Sequence, residues 1–120
     1  GGVVAIDTNA SMLRIARELL DQAAAENEWF DPAMVELREG DALETLKVGL
    51  PESIDLLLLD GAKSLYSDVL ALVEDRLRPG AVIVADNADY CPDYLERVGS
   101  VANGYSTMAF TDDVELSVRL

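Results

Sequence analysis

Three short, largely apolar runs of this sequence each end on an acid: Val3–Ile6 on Asp7, Ile54–Leu59 on Asp60, and Val82–Ala85 on Asp86, which Asn87 follows. If the runs are strands of one parallel sheet, all three acids face one edge of it. Carboxylates and an amide carbonyl gathered there, with no nitrogen or sulfur ligand at hand, favour a hard cation such as Mg²⁺, Ca²⁺ or Mn²⁺ over zinc. Asp60, Asp86 and Asn87 would leave octahedral positions open. A bidentate substrate could fill them, with the metal acting as template and Lewis acid. Asp and Asn also make ordinary turns at strand ends. What favours a site is the coincidence of Asp60 with Asp86-Asn87 on strands expected to be neighbours, where bare carboxylates repel unless a cation or protons intervene. Lys63 lies three residues past Asp60 and can reach the same mouth. A solvated surface lysine is the plain alternative. Beside a dication, however, like-charge repulsion would lower its pKa and suit it to general-base work.

The elements that must position these residues follow from the pattern around them. Val3–Ile6 is a short, mostly β-branched strand leading through Thr8-Asn9 into a helix that Asn9 can cap. From Ala10 to about Ala25, Met12, Ile15, Ala16, Leu19, Leu20 and Ala23 recur at three- and four-residue spacing, which predicts an amphipathic helix with its apolar face on a sheet. Asp31-Pro32 breaks the chain. Met34–Leu37 reads as a second strand before Gly40-Asp41, and a short helix spans Ala42 to Leu46. Four consecutive leucines within Ile54–Leu59 predict a strand buried on both faces, as in parallel sheets. Leu65, Val69, Leu72, Val73 and Leu77 trace a helix face that Arg78-Pro79-Gly80 should stop before a strand at Ala81–Ala85. A helix around Pro92–Val98 precedes a hairpin, Tyr105–Phe110 with Val114–Leu120. The fold class is therefore α/β, an open Rossmann-like sheet with an antiparallel C-terminal edge, and ligands of such sheets sit beyond the carboxyl ends of the strands. An acid in the position of Asp7 commonly accepts hydrogen bonds from the ribose hydroxyls of a nucleotide. Asp41 could lie beside an adenine ring, and Gly40-Asp41 is equally a plain turn.

Composition narrows the alternatives. The chain has 120 residues, half of them hydrophobic, so a single domain, residues 1–120, is the expected organisation. Nine basic residues against 23 acidic ones give a formal charge of -14, which repels nucleic-acid phosphates and anionic lipid. No apolar run approaches the length of a membrane span. The absence of histidine removes His-based triads and His-ligated zinc. Cys91 is the lone cysteine, so no intrachain disulfide forms, and cytoplasm is the default compartment.

The segments Val3-Val4-Ala5-Ile6-Asp7, Glu39-Gly40-Asp41-Ala42, Leu56-Leu57-Leu58-Leu59-Asp60-Gly61-Ala62-Lys63, Arg78-Pro79-Gly80 and Val82-Ile83-Val84-Ala85-Asp86-Asn87 together resemble the class I S-adenosylmethionine-dependent O-methyltransferases. The resemblance is specifically to the cation-dependent group that includes catechol O-methyltransferase, and Asp60-x-x-Lys63 with Asp86-Asn87 is its most specific part. It implies that Asp60, Asp86 and Asn87 bind Mg²⁺, which chelates two adjacent oxygens of a small-molecule hydroxyl acceptor. It further implies that Lys63 takes the acceptor's proton. Asp7 would bind the ribose of S-adenosylmethionine, Asp41 and Ala42 would border its adenine, and Asp60 would also line the cofactor site. The family's first strand and its glycine-rich loop should precede Val3, where only Gly1-Gly2 stands, so an N-terminally truncated domain is expected. That strand lies centrally in the family's sheet, so its loss should leave unpaired backbone groups in the middle. Gly61 replaces a larger polar residue of catechol-specific members, so catechol specificity is not implied.

Two further readings fit parts of the same pattern. A truncated, non-catalytic module would keep the fold and bind at most a metal or a partner. A phospho-acceptor receiver also gathers acids and a lysine at strand ends, but it places an acidic pair after its first strand, and this chain does not. An open gap in the sheet makes a homodimer an expected outcome. Tyr66, Tyr90, Tyr94 and Trp29 could line an acceptor pocket, with ordinary packing as the first assignment for each, and Cys91 reads as an incidental thiol.

Overall fold

The computed structural model describes residues 2–120. The chain forms two compact units, divided between Thr45 and Leu46. In the first, β1 (Val3–Asp7) and β2 (Val35–Glu39) pair in parallel, in register from Val3 opposite Val35 to Asp7 opposite Glu39. Helix α1 (Ala10–Glu26) connects them and α2 (Ala42–Thr45) follows β2. Asn9 caps α1 as expected: its side chain accepts from the backbone N–H of Ser11 at 2.9 Å and of Met12 at 3.2 Å. The half-buried stripe of α1 is Leu13, Ala16, Leu20 and Ala23. Met12, Ile15 and Leu19, expected on the packed face, are 54, 44 and 60% exposed. A two-strand pair covers only one side of so wide an apolar face.

The second unit carries a four-stranded sheet in the order β3-β4-β6-β5, built from β3 (Ile54–Leu59), β4 (Leu77–Asp86), β5 (Tyr105–Ala109) and β6 (Val114–Arg119). β3 and β4 are parallel, and the remaining pairs are antiparallel. Helix α3 (Tyr66–Val73), flanked by 3₁₀ turns at Lys63–Leu65 and Glu74–Arg76, joins β3 to β4; α4 (Pro92–Val98) leads toward the closing hairpin. The core is Leu70 and Val73 of α3, Ala81, Ile83 and Ala85 of β4, Tyr94 and Val98 of α4, and Tyr105 of β5, all at 2% exposure or less. Alternate residues of β4 supply it, as the two-residue period of a strand requires.

Two sequence expectations change here. The leucine run is not buried on both faces: Leu59 is buried, whereas Leu56 and Leu58 are 61 and 62% exposed. The reason is local: among the described residues β3 pairs with β4 alone, as an edge strand of its sheet, and an edge strand is not buried on both faces as a central one is. Nor does Arg78-Pro79-Gly80 precede β4, because the strand runs through it. Ile54 pairs with Leu77 and Leu56 with Val82, so the extra residues form an irregularity at the strand's start. Gly80 takes φ 88° there, and Pro79 needs no ladder partner for an N–H it lacks. Among the described residues no strand pairs with the second side of β1 or of β3.

Candidate active site at the strand ends

In the second unit the register Leu59 opposite Ala85 makes Asp60 and Asp86 the next residues on adjacent parallel strands. Asp86 is half-buried and Asp60 exposed. Asn87 turns the chain at φ 53°, ψ 38°, the left-handed conformation that Asn tolerates better than most residues. Its Nδ2 donates to Asp86 Oδ2 at 3.2 Å, which leaves Oδ1, the atom suited to a metal, outside that bond. Among the described residues no three His, Cys, Asp or Glu side chains converge. A cation here would rest on the Asp60 and Asp86 carboxylates and the Asn87 amide. That all-oxygen set fits a hard divalent ion keeping several positions for other ligands.

Lys63 begins the 3₁₀ turn after β3, and its ammonium donates to Tyr66 Oη at 2.7 Å and to the Asp86 carbonyl at 3.1 Å. Burial alone would lower its pKa. The Tyr66 hydrogen bond, with the negative charge of Asp86 and Asp60, outweighs that and raises it above the ordinary lysine value. The chain's own groups thus hold Lys63 as an ammonium, and the downward shift expected from the sequence depends on a dication. The Cys91 thiol donates to the Lys63 carbonyl at 3.1 Å, so this cysteine ties the lysine's backbone to the start of α4; burial pushes its pKa up. A cavity of about 120 Å³ lies beside these groups, lined by Lys63, Ser67, Tyr90, Cys91, Asp93 and Tyr94.

Sequence reasoning gave Tyr66 a packing role. In the structure it is 2% exposed, and its hydroxyl lies 2.7 Å from the Asp86 carbonyl and 2.9 Å from that of Leu59, besides accepting from Lys63. The signal that could have found it is the Lys63-x-x-Tyr66 spacing at a helix start, which turns both side chains to one side. Tyr94 is core, with its phenol pushed up to about 12 by burial, while Tyr90 and Trp29 are 73 and 82% exposed.

The first unit carries the other expected residues. Asp7 ends β1, and Asp41 follows β2, two residues beyond Asp7's register partner Glu39. The Gly40 N–H donates to the Asp7 carbonyl at 3.0 Å, which brings the two strand ends together. Each acid also does a turn former's work. Asp7 Oδ1 accepts from the Asn9 N–H at 2.8 Å, and Asp41 Oδ1 from the Leu43 N–H at 2.9 Å. Each carboxylate keeps its second oxygen outside those bonds. Ala42, half-buried, opens α2.

The fold is α/β and Rossmann-like, of the methyltransferase type. Residues 1–88 match a family model described as a methyltransferase domain, and the chain belongs to that family. Among solved structures it is similar to a methyltransferase from Geobacter sulfurreducens, with 25% identity, a TM-score of 0.76, and coverage of 100% of this chain and 59% of that one. An O-methyltransferase from Bacillus cereus in complex with SAH superposes with a TM-score of 0.81 at 20% identity, covering 100 and 63%. One from Streptomyces achromogenes, involved in tomaymycin synthesis and in complex with SAM, gives 0.71 at 19%, covering 99 and 62%. The chain thus spans about three fifths of the length of the structures it matches. No curated protein matches it. Among the described residues no helix is long and apolar enough to cross a membrane.

Proposed function

We propose that this chain is the larger part of an S-adenosylmethionine-dependent O-methyltransferase acting on a hydroxyl of a small molecule with the help of a divalent cation. The observation that carries the reading is the meeting of Asp60, Lys63, Asp86 and Asn87 at the ends of two adjacent parallel strands. Membership of the methyltransferase family and the O-methyltransferase neighbours support it. In the first unit, Asp7 is assigned to the ribose hydroxyls of the cofactor and Asp41-Ala42 to the adenine edge; Asp60, of the second unit, is assigned a cofactor-binding role as well.

Methyl transfer is an in-line displacement. The acceptor hydroxyl gives up its proton, its oxygen bonds to the methyl carbon, and the carbon–sulfur bond breaks with its electron pair going to sulfur, leaving S-adenosylhomocysteine. Positioning and deprotonation therefore carry the catalysis, and no covalent enzyme intermediate is needed. Lys63 is the residue assigned to receive the proton, which requires its neutral amine. Asp60 and Asp86 favour the ammonium while their charge is uncompensated. A divalent ion held by Asp60, Asp86 and Asn87 would supply positive charge that favours an acceptor oxyanion.

Titration calorimetry with S-adenosylhomocysteine, with and without Mg²⁺, tests the reading. Saturable binding supports an enzyme. A folded chain that binds neither ligand would instead be a non-catalytic module of methyltransferase fold.

A further inference from the structure

We propose that Tyr66 is a positioning residue: its phenol ties the carboxyl ends of β3 and β4 together and holds the Lys63 amine at the mouth between them. The donor and acceptor count supports this. The phenol has one hydrogen and two oxygen lone pairs. Its oxygen accepts from the Lys63 ammonium at 2.7 Å, and its hydrogen has two carbonyls within reach, Asp86 at 2.7 Å and Leu59 at 2.9 Å. Those carbonyls belong to the last residues of β4 and β3, the residues that set where Asp86 and Asp60 stand. A single side chain thus spans both strands and the lysine.

The ring is fixed as firmly as the hydroxyl. It meets Tyr94 edge to face, with centroids 5.8 Å apart at 82°, and both tyrosines are at 2% exposure or less. The Lys63 nitrogen lies 5.0 Å from the Tyr66 ring centroid, beyond the hydroxyl edge of the ring where its hydrogen bond to the phenol oxygen holds it. A lysine at a strand end ordinarily samples many rotamers of its four-carbon stem. Here two of the three ammonium hydrogens are committed, to Tyr66 and to the Asp86 carbonyl, and one remains for a ligand. The significance of the clamp for methyl transfer rests on Lys63 being the reactive amine of the proposed reaction, whereas the clamp itself does not.

The chain has two lysines, Lys47 and Lys63, so labelling with lysine ¹³C-enriched at Cε gives one reporter of each. In the wild-type chain Lys63 should be ordered, with an order parameter approaching the ~0.85 of rigid backbone and resolved, inequivalent ε protons; in Tyr66→Phe it should fall below ~0.6. Backbone signals should move only around the ends of β3 and β4, which lose the phenol's hydrogen bond, and the Lys47 signal should stay where it was, a selectivity that general loosening of the fold would not give. An Lys63 that is already mobile in the wild type, or that keeps its order in Tyr66→Phe, overturns the proposal. If Tyr66→Phe does not fold, Tyr66→Leu with the same labelling supplies the comparison, and a mobile Lys63 in the wild type overturns the proposal without any variant. Adding Mn²⁺ to the same sample tests the metal reading separately: selective broadening of Lys63 supports a cation at Asp60 and Asp86, and its absence counts against that cation while leaving the clamp to stand or fall on the order measurement.

Discussion

Asn87 has two jobs that substitution can pull apart. Its backbone is the one non-glycine residue at positive φ among the described residues, and its side chain is a candidate metal ligand. Glycine takes the left-handed conformation without a Cβ penalty, whereas alanine there costs about 1–2 kcal/mol. Urea denaturation should therefore rank Asn87→Gly at or near the wild type and Asn87→Ala lower by about that amount. Both variants should lose Mn²⁺ affinity, by roughly tenfold or more, because both lack the amide oxygen. Equal metal binding in the glycine variant would remove Asn87 from the ligand set. The acids and the lysine of this site were legible in the sequence because strand ends are marked by residue type: an apolar run stops and a carboxylate follows. Tyr66 was not legible in the same way, since a tyrosine at helical spacing among apolar residues reads as core. It is core, and its hydroxyl carries a second role that only the fold of β3 against β4 reveals.

Glu74 joins four elements of the second unit at the end of α3. One carboxylate oxygen accepts from the Tyr105 hydroxyl of β5 at 2.5 Å and lies 4.0 Å from Arg119 of β6, and the other pairs with Arg97 of α4. Burial would raise the Glu74 pKa, but the Tyr105 hydrogen bond and Arg97 outweigh it and hold the carboxyl below its ordinary value of 4.5. A depressed carboxyl stabilises the fold above the unfolded-state pKa and loses that contribution as pH falls through the folded one. Glu74→Gln should thus cost about 1–3 kcal/mol near neutrality. Urea midpoints of wild type and variant should converge as pH falls below the ordinary carboxylate range, and a gap unchanged in acid would show that the charge is not what matters. Element by element the sequence was a good guide where one signal ruled alone: β3 at Ile54–Leu59 and α4 at Pro92–Val98 fall where periodicity and Pro92 put them. It misled where two signals competed. Arg78-Pro79-Gly80 has the composition of a stop, yet pairing of Leu77 with Ile54 draws it into β4. On α1 the apolar residues span more of the circumference than β1 and β2 can cover, and composition cannot say which half is packed.

The whole chain carries a net charge of -14, so its folded form works against its own repulsion. Any salt will relieve some of that by screening. A specific cation site adds a different term, because an ion that binds only the folded state stabilises it by about 2.7 kcal/mol at a hundredfold excess over its dissociation constant, or roughly 10 °C in unfolding midpoint. The two contributions separate when thermal unfolding is followed in MgCl₂ and in NaCl at matched ionic strength. Wild type should gain several degrees more in MgCl₂. The variant Asp60→Asn with Asp86→Asn should keep its response to NaCl and lose the excess due to Mg²⁺, because the substitutions remove the two carboxylates of the site and leave the other 21 acidic residues in place, the 23 of the chain less these two. Equal gains in the two salts would mean that Mg²⁺ acts only on the diffuse field of the molecule, and Asp60 and Asp86 would then be turn formers at the ends of β3 and β4 rather than ligands.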